Sequence, residues 1–435
     1  MKKLLIISPY FPPINAADMQ RIRMSLPYFS SHGWEPAVVM VEPEYTDLPT
    51  DTLLNENIPA SVTIHQVKAL PKKWTSKVGL GSIALRALWF YKRKVNQLLK
   101  SEKFDLIYFS TTQFPVLILG PYWKKKFGVP YIIDMQDPWR SEYYQDKSKI
   151  ERPKKHWFSY RLNKFLEPIA MQKVDGLISV SKGYLDTLTE RYPQLNDLPK
   201  RIITFAAFPP DFETVRKHRA EFNLPYLKTA SNYNFVYVGR GGHDLKQAAE
   251  ILFSAFQTGL KAHPRLFKHA RFHFIGTSYA PKGEGVATIQ PIARQMDIST
   301  YVNEQTDRLP FYQSLFTLDN ADHLMILGSE DKSYTASKIF PYILSDKPIL
   351  AFFHSESSAA QIISECQAGT VIPLEEDAIH LQKIVYEYLH RALLGRQQPA
   401  KTDWKAFENY EAFNMCRKQC EVFNEVIANA ERKNG

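Results

Sequence analysis

Along most of this chain, short aliphatic or β-branched runs alternate with longer stretches of helical period, the pattern of parallel strands joined by crossover helices. In the first half the strand-like runs are 3–8, 37–41, 62–67, 105–109, 130–134, 177–180 and 202–205. Between them Ala16–Ser31, Ser82–Lys100, Phe114–Phe127 and Lys154–Lys173 carry apolar residues at helical spacing, and Ser181 stands where the next helix would be N-capped. From 206 to about 232 the period fails, because Pro209, Pro210 and Pro225 punctuate a polar stretch that reads as a linker. A second alternation begins at Phe235-Val236-Tyr237-Val238-Gly239. It continues as a helix over 244–259, a strand over 271–275, helices near 286–296 and 311–318, a strand over 323–327, a helix over 336–344 and a strand over 348–352. Helices follow to Leu394, and a last one over 403–431 is long enough to reach back across a domain interface. The expected architecture is α/β: a Rossmann-like domain over 1–205, a linker over 206–232, a second Rossmann-like domain over 233–400, and a C-terminal helix over 401–435 packing on the first domain.

Composition narrows the class. The 435 residues suffice for two or three packed units, and 44% hydrophobic, 23% charged and 13% aromatic content excludes a disordered chain. Apolar runs such as Leu4–Ile7 and Val116–Leu119 fall far short of the roughly 18 residues a spanning helix needs, and Leu4–Ile7 runs straight into Ser8-Pro9, too short for a signal peptide. A cytoplasmic location is expected. Three cysteines, Cys366, Cys416 and Cys420, make no disulfide framework or zinc spacing and are expected to be free thiols. Charge changes the picture more. Between Ser61 and Asp175, 22 Lys and Arg stand against 9 Asp and Glu, an excess of 13, whereas the whole chain carries +10. The basic residues cluster in 68–77, 89–94, 123–126 and 152–173 and are interleaved with Trp, Phe and Tyr, as at an anionic bilayer surface. A solvated basic face is the competing reading. Nucleic acid is not expected, since no helix-turn-helix, RNA-binding or zinc signature accompanies the charge.

In paired Rossmann-like halves the loops after the strands face the ligand crevice. The first informative loop, Ser8-Pro9-Tyr10-Phe11-Pro12-Pro13-Ile14-Asn15-Ala16-Ala17-Asp18-Met19-Gln20-Arg21, is stiffened by prolines and brings Asp18 and Arg21 toward that crevice. The second, Val238-Gly239-Arg240-Gly241-Gly242-His243-Asp244-Leu245-Lys246, sets glycines and a cation between a strand and a helix start, where backbone N–H groups attract phosphate. The third runs from Gly328 to Tyr342. Here Ser333 or Thr335 would cap a helix, Lys338 would project from its first turn beside Ser337, and Glu330 and Asp331 would accept hydroxyl hydrogen bonds. Arg240 and Lys338 would come from adjacent strands and aim at one spot, a plausible diphosphate and sugar site.

The stretches Leu4–Pro13, Asp134-Met135-Gln136-Asp137-Pro138-Trp139, Val174–Ser181, Tyr237-Val238-Gly239-Arg240, Ser337–Tyr342 and Lys347–Ala351 together resemble the retaining GT-B glycosyltransferases of family 4. The resemblance covers the whole chain. It implies two domains facing across a cleft, a nucleotide diphosphate sugar as donor substrate with no cofactor, and transfer with retention. It further implies that Arg240, and with it His243 or Lys246, grips the donor diphosphate, with Gly239, Gly241, Gly242 and Ser337 nearby. There are departures. Ala16-Ala17 replaces a Gly-Gly pair, Ser333 and Pro341 stand where two glutamates are usual, and Gln136 replaces a common Arg. Proline offers no side-chain acceptor to a ribose, so Glu330 or Asp331 would have to supply one.

The expected function is a metal-independent glycosyltransferase, since no Asp-x-Asp triplet occurs and Arg240 and Lys338 would stabilise the leaving diphosphate. Asp137 would orient the acceptor, with Asp18, Arg21, Asp134 and Gln136 on the acceptor side; Asp137 as an N-cap or salt-bridge partner is the competing reading. The acceptor is expected to be a glycan or a lipid-linked precursor, met by a cytoplasmic protein peripheral to the inner face of the cell membrane. A catalytically silent nucleotide-sugar-binding or partner protein on the same fold is the alternative, and an epimerase would need acid/base carboxylates beside the sugar ring.

Overall fold

The computed structural model describes residues 1–75, 81–140, 142, 156–332, 337–396 and 400–434. They form two compact units, residues 1–206 with 410–435, and residues 207–409. In the first unit seven strands, β1 (Lys2–Ile7), β2 (Trp34–Val41), β3 (Thr63–Val67), β4 (Leu106–Ser110), β5 (Tyr131–Met135), β6 (Gly176–Ser179) and β7 (Lys200–Ile202), pair in parallel in the order β3-β2-β1-β4-β5-β6-β7. Strands β4 and β5 are buried on both faces, which explains why they read as unbroken apolar runs and not as an alternation. Their crossovers include α1 (Gln20–Ser25), α2 (Ile83–Ser101), α3 (Leu119–Phe127), α4 (His156–Met171) and α5 (Lys182–Arg191).

The second unit repeats the plan with six parallel strands, β8 (Tyr233–Val238), β9 (Ala270–Ile275), β10 (Val302–Gln305), β11 (His323–Leu327), β12 (Ile349–Phe353) and β13 (Thr370–Pro373), in the order β10-β9-β8-β11-β12-β13. Its helices include α6 (Pro210–Lys217), α7 (Lys246–Ala262), α8 (Phe311–Asp319), α9 (Ile339–Leu344) and α10 (Ala378–Leu393). The last helix, α11 (Ala412–Asn434), belongs to the first unit, where Gln419 donates to Ser25 Oγ at 2.8 Å and accepts from the Tyr108 hydroxyl at 3.0 Å.

Four expectations change. The single helix expected over 403–431 is broken: Trp404–Phe407 is a short helix in the second unit, a 3₁₀ turn follows over Glu408–Tyr410, and only α11 belongs to the first unit. The helix expected over 16–31 is cut to α1 between two 3₁₀ turns, because Pro27 cannot donate to a continuing helix. The segment read as a linker is part of the second unit. Pro210 opens α6 in its first turn, Phe212 and Val215 are buried, and α6 packs on α8, whose Tyr312 donates to Asp211 at 3.1 Å. The prolines that break the period there start a helix. Strands β10 and β13 were not expected: β10 is an edge strand of Val-Asn-Glu-Gln with one apolar residue, and β13 lies where only helices were read.

Candidate functional site

In the second sheet, chain order reverses between β8 and β11, so the loops after these neighbouring strands diverge and open a crevice, as in other doubly wound sheets. Arg240 follows β8 and Lys338 follows β11, as the sequence spacing predicts. Lys338 Nζ donates to the Tyr237 hydroxyl at 2.6 Å, lies 3.4 Å from the Leu327 carbonyl, and sits 4.6 Å from the Tyr237 ring centroid. The Tyr237 hydroxyl spends its own proton on the Arg240 carbonyl at 2.7 Å, so its lone pair faces the lysine. One turn beyond Lys338, the Tyr342 hydroxyl accepts from Val238 N at 2.7 Å and donates to Val238 O at 3.0 Å. Two tyrosines therefore clamp the end of β8 to the start of α9. Sequence reasoning missed both, although Tyr342 stands four residues after Lys338 and so on the same helix face.

Desolvation lowers the Lys338 ammonium to about 7, and the charge of Arg240 pushes the same way against a smaller opposing pull from Asp244. Arg240 itself is held in a two-point ion pair with Asp244, Nη1 to Oδ1 at 3.0 Å and Nη2 to Oδ2 at 2.5 Å. Burial works against the Asp244 carboxylate, but the hydrogen bonds and charge of Arg240 outweigh it and keep the carboxyl below its usual value. Glycine makes this closure possible. A Cβ on Gly242, whose φ is 153°, would stand 2.5 Å from Asp244 Oδ1 and 2.7 Å from Arg240 Nη1. One on Gly241 would stand 2.6 Å from Thr288 Oγ1, on a segment that Glu304 fixes by accepting from Thr277 Oγ1 and from the N–H groups of Thr288, Ile289 and Gln290. Gly239 brings its backbone under the lysine, where a Cβ would lie 3.5 Å from Nζ.

The remaining residues expected on the donor side are held more loosely. His243 and Lys246 are exposed, and Lys246 pairs at 3.6 Å with Glu250 along its own helix. Glu330 and Asp331 are exposed on the loop after β11, and Ser337 is exposed immediately before Lys338. The capping expected of Ser333 or Thr335 lies outside the described residues. Lys338 occupies the N-cap position of α9, which carries no side-chain cap.

In the first unit the acceptor-side expectation needs correction. Arg21 and Asp134 are both 0% exposed and paired, Nε to Oδ2 at 2.7 Å. The Arg21 guanidinium also donates to the carbonyls of Ile203 at 2.7 Å and Thr204 at 3.3 Å, while Asp134 accepts from Ser110 Oγ and Gln136 Nε2, both at 2.9 Å. These residues tie α1 to β4, β5 and the end of the sheet, and as a pair fully buried in the first unit they present no exposed group to an acceptor sugar. Gln136 is buried with them and also donates to the Asp18 carbonyl. Asp18 is buried, accepts from Thr111 Oγ1 and from both N–H and Oγ1 of Thr112, and burial still raises its carboxyl above the usual value. Only Asp137, in the turn after β5, is open to solvent. Desolvation by neighbouring protein and the charge of Asp18 raise its carboxyl. Among the described residues no three His, Cys, Asp or Glu side chains gather as a metal site would require.

No protein-family model and no curated sequence matches the chain. Solved structures do match over its whole length. Sucrose-phosphate synthase from Thermosynechococcus elongatus is 12% identical with a TM-score of 0.58, covering 99% of this chain and 100% of that one. The Anabaena protein HepE, in complex with UDP, is 15% identical with a TM-score of 0.56 over 98% and 100%. WaaG, a glycosyltransferase involved in lipopolysaccharide biosynthesis, is 13% identical with a TM-score of 0.55 over 96% and 99%. At these identities the likeness is one of fold: the chain, with its parallel sheets of seven and six strands, has the GT-B fold of glycosyltransferases.

Proposed function

We propose that the chain is a glycosyltransferase that moves a sugar from a nucleoside diphosphate sugar to a glycan or lipid-linked acceptor, with retention of configuration and without a metal ion. The observation that carries this reading is the convergence of Arg240 and Lys338 on the Tyr237 clamp at the strand-order reversal of a GT-B fold. The UDP bound to HepE supports a nucleoside diphosphate as the ligand class. In the reaction, the bond from the anomeric carbon to the diphosphate oxygen breaks and the electron pair leaves with the diphosphate. The acceptor oxygen bonds to that carbon on the same face, and its proton passes to the departing phosphate. Arg240 exchanges Asp244 for the diphosphate, and Lys338 becomes charged as the anion arrives, so both cations meet negative charge that grows toward the transition state. Asp137 is the residue left exposed to orient the acceptor hydroxyl.

Incubation with a panel of nucleotide sugars, with detection of released nucleoside diphosphate and of the product's anomeric configuration, tests the proposal. Release with retention supports it. Tight donor binding without release under any acceptor would favour a catalytically silent binder, the second reading, which the acceptor-less Pro341 and the ion pair already formed by Arg240 support. A lipid-linked acceptor would be met at the inner face of the cell membrane by a peripheral protein.

A further inference from the structure

The outward face of α4 is apolar where a helix packed on the outside of a sheet is ordinarily polar. Trp157 is 64% and Phe165 69% exposed, and Phe158, Pro168 and Ile169 are exposed with them. Positions 157, 161, 165 and 169 succeed one another at four-residue spacing, so they form one stripe along the helix. The residues set into that stripe are cations: Arg161, whose guanidinium lies 4.7 Å over the Trp157 ring, and Lys164. Glu167, the one acidic residue of α4, is buried on the opposite side and paired with Arg191.

The neighbouring helices extend the pattern. Helix α3 lies beside both α4 and α2 and exposes Lys125 and Lys126. Helix α2 exposes Trp89, with Arg93 5.6 Å over its ring, and beside them Lys92 and Lys100. Neither α2 nor α3 contains an acidic residue. No described helix is long and apolar enough to cross a membrane, so rings at this density on a surface need another partner.

We propose that the face formed by α2, α3 and α4 docks on an anionic lipid bilayer, with Trp157, Phe165 and Ile169 at the depth of the headgroups and the surrounding Lys and Arg on lipid phosphates. Charge complementarity selects this occupant. Nucleic acid would satisfy the cations but leave the aliphatic Ile169 and the edge of Phe165 in water, and a second copy of the same face would bring like charges together. A bilayer satisfies both kinds of side chain at once. The inference goes beyond the donor-site reading and stands apart from it: the face is in the first unit, Arg240 and Lys338 in the second, so either can fail without the other.

Co-sedimentation of the full chain with phosphatidylcholine vesicles, with and without about one third phosphatidylglycerol, tests it at roughly 50 mM and 500 mM salt. The protein should sediment with anionic vesicles at low salt, leave them at high salt, and ignore neutral ones. Arg161→Gln and Lys164→Gln should each weaken partitioning about fivefold. Trp157→Ser with Phe165→Ser, at exposed positions that leave the core intact, should weaken it at least tenfold although no charge changes. Three outcomes overturn the proposal: equal recovery with neutral and anionic vesicles, a ring variant that binds as the parent does, or self-association abolished by Phe165→Ser in a chain that ignores vesicles.

Discussion

Asp244 is the residue on which the proposed donor site turns. Arg240, proposed to hold a diphosphate, is already paired with a carboxylate at two points, so on that proposal binding exchanges one anion for another. The pair is partly exposed, and its contribution is correspondingly small. Replacing the carboxylate by its neutral isostere should therefore tighten nucleoside diphosphate binding modestly: Asp244→Asn is expected to gain about threefold, or ~0.6 kcal/mol, in a titration. Weaker binding in that variant would mean that Asp244 positions Arg240 and does not compete for it. Lys338 adds a pH dependence of definite sign. With its ammonium at about 7, a diphosphate bound against it would have to restore the charge above neutral pH. Donor binding should then take up a proton, and affinity should fall by up to about tenfold per pH unit above about 7. Calorimetry in two buffers of different ionisation enthalpy reads the proton directly; no uptake at alkaline pH would remove Lys338 from the diphosphate. The same desolvated lysine should burden the fold, so Lys338→Met is expected to raise stability by about 1 kcal/mol while turnover collapses.

At the scale of elements, the Arg21–Asp134 pair shows how two residues read as acceptor-side from sequence lie buried against each other. A charged residue at a strand end and another at a helix start look like chemistry in one dimension, but here they pair with each other in the core, and Arg21 also donates to two carbonyls just after β7. Removing one partner strands a buried charge: Arg21→Met should cost about 3–5 kcal/mol in denaturant unfolding, whereas the double replacement with Asp134→Leu should recover most of that loss. A stable Arg21→Met variant with impaired acceptor use would restore the acceptor-side reading. Legible elements were those whose burial is uniform. The runs of β1, β4, β11 and β12 announce strands buried on both faces, and the glycines of 239–242 announce a loop that closes tightly. What was not legible depends on partners distant in sequence. Pro210 reads as a breaker until α8 is seen to pack on α6, where Phe212 and Val215 are buried; β10 has too few apolar residues to be seen without β9; and Tyr237 and Tyr342 look like ordinary core aromatics until the first hydroxyl is seen to hold Lys338 and the second Val238.

For the whole molecule, the two proposed tasks fall in different units. The first unit holds the basic, aromatic face and the buried polar knot, and the second holds Arg240 and Lys338, the two cations proposed to meet a nucleoside diphosphate. The proposed donor site lies in the second unit. Titration calorimetry of nucleoside diphosphates into the parent and into Arg240→Ala tests it most directly. The parent should bind at least one of them, and the variant, with its fold verified, should lose about 2 kcal/mol or more, some thirtyfold in affinity, because a charge-assisted phosphate contact is gone. A folded Arg240→Ala protein that binds as tightly as the parent would contradict the assignment of this crevice as the donor site.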